Sequence, residues 1–107
     1  MADLWGALAQ SAPAAATLTD AYTVPTGKHA TIEVVLCNTG AAATVRLAHA
    51  VAGAANNAKQ YTLWDFPLAA AEAKVTARWT AKAGDVVRVY ASTATVSFNI
   101  NGIEETA

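Results

Sequence analysis

The sequence predicts an all-β domain, an antiparallel two-sheet sandwich of jelly-roll-like type with seven to eight strands and an extended N-terminal arm. Three observations predict it. Short segments with alternating apolar and polar residues recur from about Thr17 onward. The clearest is residues 94–100, where Val96, Phe98 and Ile100 fall on one side and Thr95, Ser97 and Asn99 on the other, the period of a half-buried strand. Turn signals separate these segments at Pro25-Thr26-Gly27, Asn38-Thr39-Gly40 and Ala83-Gly84-Asp85, at strand rather than helix spacing. No strand–helix–strand alternation interrupts them, so the segments pair antiparallel and close as a sandwich.

Residues 1–16 read as an N-terminal arm and residues 17–107 as the β-sandwich domain. In the arm, Leu4, Trp5 and Leu8 stand at i, i+1 and i+4, which would place them on one side of a short helix; an extended arm is the other reading. Residues 11–16 form a linker of small residues and one proline. Tryptophan is favoured at interface centres, so Leu4, Trp5 and Leu8 are candidate contacts to a neighbouring subunit.

The first strand is expected at 18–24, with Leu18, Tyr22 and Val24 on one parity, and is closed by Pro25-Thr26-Gly27 as a type I turn. The second, 29–37, turns Ile32, Val34 and Leu36 inward, while Val35 and Cys37 on the other parity suggest cover on both sides. The third, 44–51, sends Val45, Leu47, His49 and Val51 inward. Residues 52–58 are a flexible loop of turn-prone residues. Residues 60–66 set Tyr61 and Leu63 on one face and Trp64 and Phe66 on the other, with Pro67 closing the strand. One of those two aromatic faces needs cover from beyond the opposite sheet, which makes Tyr61 and Trp64 further candidate interface residues. Residues 68–71 read as loop. The following strand puts Val75, Ala77 and Trp79 on one parity. Residues 86–90 are a β-branched strand, and the last strand ends at a turn on Asn101-Gly102.

Bulk properties narrow the function classes. A chain of 107 residues is one domain that buries about 65% of its unfolded surface. Seven basic and eight acidic residues, dispersed, leave a formal charge of −1, without the basic excess that displaces counterions from nucleic acid. Apolar residues are 54% of the chain, yet many are alanine, so a thin core is expected. The single cysteine, Cys37, allows no disulfide within the chain and reads as a buried small hydrophobe at a strand end. The start Met1-Ala2-Asp3-Leu4-Trp5 lacks a basic leader region, and no apolar run reaches membrane-spanning length. Synthesis in a cytoplasm is the expectation, with no membrane partner.

Chemistry-bearing patterns are sparse. His29, His49 and Cys37 lack the spacing and the fourth ligand of a zinc site. Glu33, Asp65, Glu72 and Asp85 read as strand-surface or turn residues and do not form a glycosidase pair. No phosphate loop or nucleophile elbow is present. The expectation is no catalytic residue, no metal, no cofactor and no enzyme activity. Tyr61, Trp64, Trp79 and Tyr90 could form a sugar-stacking platform, although core or subunit contacts account for them more simply, with Trp79 and at least one of Tyr61 and Trp64 in the core.

Several segments together carry a resemblance: residues 21–28 (AYTVPTGK), 35–40 (VLCNTG), 44–47 (TVRL), 59–61 (KQY), 83–92 (AGDVVRVYAS) and 96–102 (VSFNING). Over residues 10 to 103 the chain resembles a family of small virion structural proteins of tailed bacteriophages. The resemblance implies a β-sandwich displayed on a particle, with neither activity nor cofactor. The function it implies is a capsid decoration (cement) protein, localised to the virion, that binds the major capsid protein or other virion proteins as a dimer or trimer. A tail, neck or baseplate protein is the alternative within the same class. A carbohydrate-binding module for host glycans is the alternative outside it.

Overall fold

In the computed structural model the described residues form nine strands: β1 (Leu4–Ser11), β2 (Thr19–Thr23), β3 (Lys28–Asn38), β4 (Ala43–Ala50), β5 (Tyr61–Leu68), β6 (Ala73–Val75), β7 (Trp79–Lys82), β8 (Val86–Ala91) and β9 (Val96–Thr106). The structure describes residues 4–76 and 78–106, with the side chains of Leu4 and Trp5 outside that description. Among the described residues the only helical turns are two short 3₁₀ segments, Val51–Gly53 and Ala58–Gln60.

The strands form two antiparallel sheets, β1-β9-β3 with both β6 and β7 on the far side of β3, and β2-β8-β4-β5. Taken as one interrupted strand, β6 and β7 complete a chain folded as a long hairpin: β1 meets β9, β2 meets β8, β3 meets β6/β7, and β4 meets β5. Wrapping that hairpin into two sheets is the jelly-roll arrangement. The core lies between the central strands. Ile32, Val34 and Leu36 of β3, Val45 and Leu47 of β4, Val87 and Val89 of β8, and Val96, Phe98 and Ile100 of β9 are all fully buried. Burial of each such side chain contributes about 1.5–3 kcal/mol.

Several elements depart from simple alternation. Residues 4–11 join the first sheet as an edge strand, extended rather than helical, because β9 offers them a paired backbone along 98–104. Asn101-Gly102 is not a turn. β9 continues through it to Thr106, with Gly102 between Gly6 and Ile32. Pro67 does not end β5 either; it pairs with Thr44, tolerated because β5 is an edge strand and its missing N–H can face outward. In the first turn the bond runs from Lys28 N–H to the Pro25 carbonyl (3.2 Å). Gly27 therefore occupies the third position, at φ 78°, rather than the fourth position of a type I turn. The pairing shifts by one residue between Val75↔Val35 and Trp79↔Ile32. Val75 therefore faces solvent (55% exposed) while Trp79 packs on the core. Cys37 is half-buried rather than buried.

Val51 leaves β4 and is exposed in the first 3₁₀ turn. The expected flexible loop over 52–58 is instead tied down: Gln60 Nε2 donates to the Ala54 and Ala55 carbonyls, and Arg88 donates to Ala54 O at 2.8 Å. Ala48 and Ala50, on the outward parity, are consequently buried.

Two buried polar side chains organise the ends of the sandwich. At one end Asn38, fully buried, donates to the carbonyls of Ala41, Leu68 and Ala69 and accepts from Gly40 N–H and the Thr95 hydroxyl. At the other end Asp85, 4% exposed, accepts from Ala52 N–H (2.8 Å) and Lys82 N–H (3.0 Å) and pairs with His49 Nε2 (2.7 Å). Each hub satisfies backbone groups of several connections that would otherwise be unpaired on burial.

Candidate functional site

The feature that positions a functional surface is a bulge in β5. Leu47 pairs with Leu63 and Val45 with Phe66, so the β5 partners are three residues apart where β4 advances by two. The extra residue is absorbed around Asp65, whose φ of 45° is left-handed, a conformation aspartate tolerates better than most residues. Leu63 and Phe66 therefore both pack toward the core. A second shift opposite Ala48 turns Tyr61 outward. Tyr61 and Trp64, assigned to opposite faces by strict alternation, come together on the outer face with ring centroids 4.7 Å apart at 79°. Neither belongs to the core; Trp64 is 58% exposed.

Arg46 orders this patch. It lies on the outward parity of β4 opposite Tyr90 of β8. Its guanidinium carbon sits 3.9 Å from the Trp64 centroid and 4.5 Å from that of Tyr90, while Nε donates to Asp65 Oδ1 at 2.6 Å. The hydrogen bond to Asp65 raises the Arg46 pKa above its already high ordinary value, so the group between the two rings is a permanent cation. Cation–π contacts at exposed positions contribute about 0.5–1 kcal/mol each. Asn56 Nδ2 donates to the Tyr61 hydroxyl at 3.1 Å and fixes the margin of the patch. The result is a pre-ordered surface of Trp, Tyr and Arg, the residue types that dominate association energetics, and ordering them beforehand lowers the entropy cost of docking.

The remaining sequence candidates lie elsewhere. Leu8 is half-buried on β1, in the other sheet, and packs against the core. The backbones of Leu4 and Trp5 pair with Glu104 and Ile103 of β9, while their side chains lie outside the described residues. Trp79 is inside the sandwich edge, its ring centroid 6.3 Å from that of His49, so the four aromatics do not form one platform. Arg46 and Asp65 are members of the site that sequence reasoning missed.

Among the described residues two histidine–carboxylate pairs occur. His49 does lie on the inward parity, opposite Val87, and meets Asp85. Both oxygens of Asp85 are engaged by amides or by His49. Burial pushes its carboxyl upward, but the Ala52 and Lys82 amides and His49 outweigh that and hold it below the ordinary carboxylate value. This arrangement braces a loop. His29 Nε2 stands 3.5 Å from Glu105 Oε1 on the exposed start of β3. Among the described residues no group of three His, Cys, Asp or Glu side chains is placed to hold a metal.

No protein-family model, curated protein or solved structure matches the chain.

Proposed function

We propose that the protein is a structural component of a tailed-bacteriophage virion, a capsid decoration (cement) protein that docks on the major capsid lattice through the outer face of the β2-β8-β4-β5 sheet. The observation that carries this reading is the pre-ordered patch of Trp64, Tyr61, Arg46 and Tyr90 on a rigid sandwich. A surface that works by association needs fixed aromatic anchors and few uncompensated charges to desolvate, and the Arg46 cation is already ion-paired with Asp65. The sequence resemblance supplies the virion assignment, and jelly rolls recur in capsid proteins. Such architectures also serve as lectins. The glycan reading is weaker here, because sugar stacking needs an open ring face and the guanidinium of Arg46 occupies one face each of Trp64 and Tyr90.

The test combines copy number and docking. Quantitative mass spectrometry of purified virions should give a simple fraction of the major capsid protein count; a handful of copies would move the protein to the tail, neck or baseplate. Trp64→Ala should weaken rebinding to stripped particles by roughly tenfold or more, equivalent to about 1.4 kcal/mol or more, with the fold unchanged. Undiminished binding would remove this face from the proposal, and saturable quenching of tryptophan fluorescence by a glycan would favour the lectin reading.

A further inference from the structure

Four margins bound the two sheets: β1 and the β6/β7 pair in one, β2 and β5 in the other. An exposed edge pairs with other chains unless charge, proline, a bulge or brevity blunts it. Three of the four are blunted by charge, proline or brevity. β5 carries Pro67 and the bulge at Asp65. The β6/β7 margin is broken into runs of three and four residues and carries Lys74 and Lys82. β2 has five residues, a charged Asp20 and a register shift at Ala21.

β1 differs. It is eight residues long, Leu-Trp-Gly-Ala-Leu-Ala-Gln-Ser, without a charged residue or a proline. Its irregularities are a register shift at Leu8 and a positive φ of 101° at Gly6, and residues 4–7 keep a constant register with 101–104 of β9. Leu8 packs on the core, while Gly6 and Ala7 are exposed. Among the described residues, the backbone groups of β1 that face away from β9 form a row without strand partners.

We propose that β1 is a self-pairing edge: two copies of the chain join β1 to β1, antiparallel across a two-fold axis, and so merge two five-stranded sheets into one. A second copy is the occupant this edge fits. An antiparallel self-pair sets residues opposite their own neighbours in the other copy, so a charged edge repels itself and a neutral one does not. The lysines of the β6/β7 margin would meet lysines; β1 brings only neutral side chains to its copy. The inference stands apart from the docking face, which lies on the other sheet.

Light scattering on the full chain tests it. The wild type should run at twice the chain mass. Ala7→Lys and Ala7→Glu should each halve that mass with unchanged far-UV circular dichroism, and an equimolar mixture of the two should regain the dimer. Thr23→Lys on β2 and Trp64→Ala should leave the dimer intact, which separates this inference from the docking proposal. Hydrogen exchange on the unaltered protein supplies a reading independent of any variant: protection of the β1 amides should rise with protein concentration. A wild type at single-chain mass, a dimer surviving both Ala7 substitutions, or concentration-independent β1 exchange would overturn the proposal.

Discussion

Replacing Gly102 by alanine probes how closely the two central strands of the larger sheet approach. Gly102 lies within β9 between Gly6 of β1 and Ile32 of β3. A Cβ added there would stand 1.9 Å from the Thr31 carbonyl oxygen, 2.9 Å from its carbon and 3.1 Å from Ile32 Cα. Real Cβ contacts essentially never fall below 3.0 Å, so the backbone of β3 must retreat by roughly 1.1 Å in a packed interior that yields little. Overpacking of this kind costs about 1–3 kcal/mol, and the φ of 155° adds about 1–2 kcal/mol of backbone strain, for a total of about 2–5 kcal/mol. A domain of this size has about 5–15 kcal/mol in all. The melting temperature should fall by about 8 °C or more, at about 4–8 °C per kcal/mol.

Gly6→Ala is the control. Gly6 pairs with Gly102 and has φ 101°, but an added Cβ there meets nothing within 4 Å. Only the backbone term remains, about 1–2 kcal/mol. Urea and thermal unfolding of the two variants at one protein concentration decide the matter. A Gly102→Ala protein no less stable than Gly6→Ala would refute the close-approach argument.

Further outcomes follow from buried polar groups. Asp85→Asn should flatten the acid limb of the stability curve. The Asp85 carboxyl is held below its ordinary value, so its stabilisation is complete above the ordinary carboxylate range and is lost as pH falls through the folded value; urea midpoints with equal acid slopes in both proteins would contradict this. Tyr22 and Glu104 join the two sheets by a buried hydrogen bond from the tyrosine hydroxyl to the carboxylate. Tyr22→Phe should cost about 1–3 kcal/mol by leaving that carboxylate without its donor, and Tyr22→Phe with Glu104→Leu should recover most of the loss. Burial first and Glu104 second push the Tyr22 hydroxyl above its ordinary pKa, so one of the three tyrosines should lag in an ultraviolet titration to high pH. A titration in which all three ionise together would count against the buried pair.

The candidate site was only half legible. Tyr61 and Trp64 stood out because large aromatics on a surface strand need an explanation, yet alternation separated them. The bulge that reunites them depends on how β5 meets β4, and its local trace is confined to Asp65 between Trp64 and Phe66. Arg46 was legible as outward-facing on β4, but its seat between Trp64 and Tyr90 requires three strands to be adjacent.

By itself, the sequence determined the all-β class, the two-sheet sandwich and the inward residues of β3 and β9, with Val45 and Leu47 of β4, because period-two burial is a local property that each strand writes independently. Tertiary structure alone decided that residues 4–11 become an edge strand, that β9 runs on through Gly102, and that β5 bulges to bring Tyr61 beside Trp64. Those outcomes depend on pairing between residues far apart in the chain, such as 4–11 with 98–104, where the hydrogen bonds offered by a distant partner outweigh the local signal of a turn or an arm.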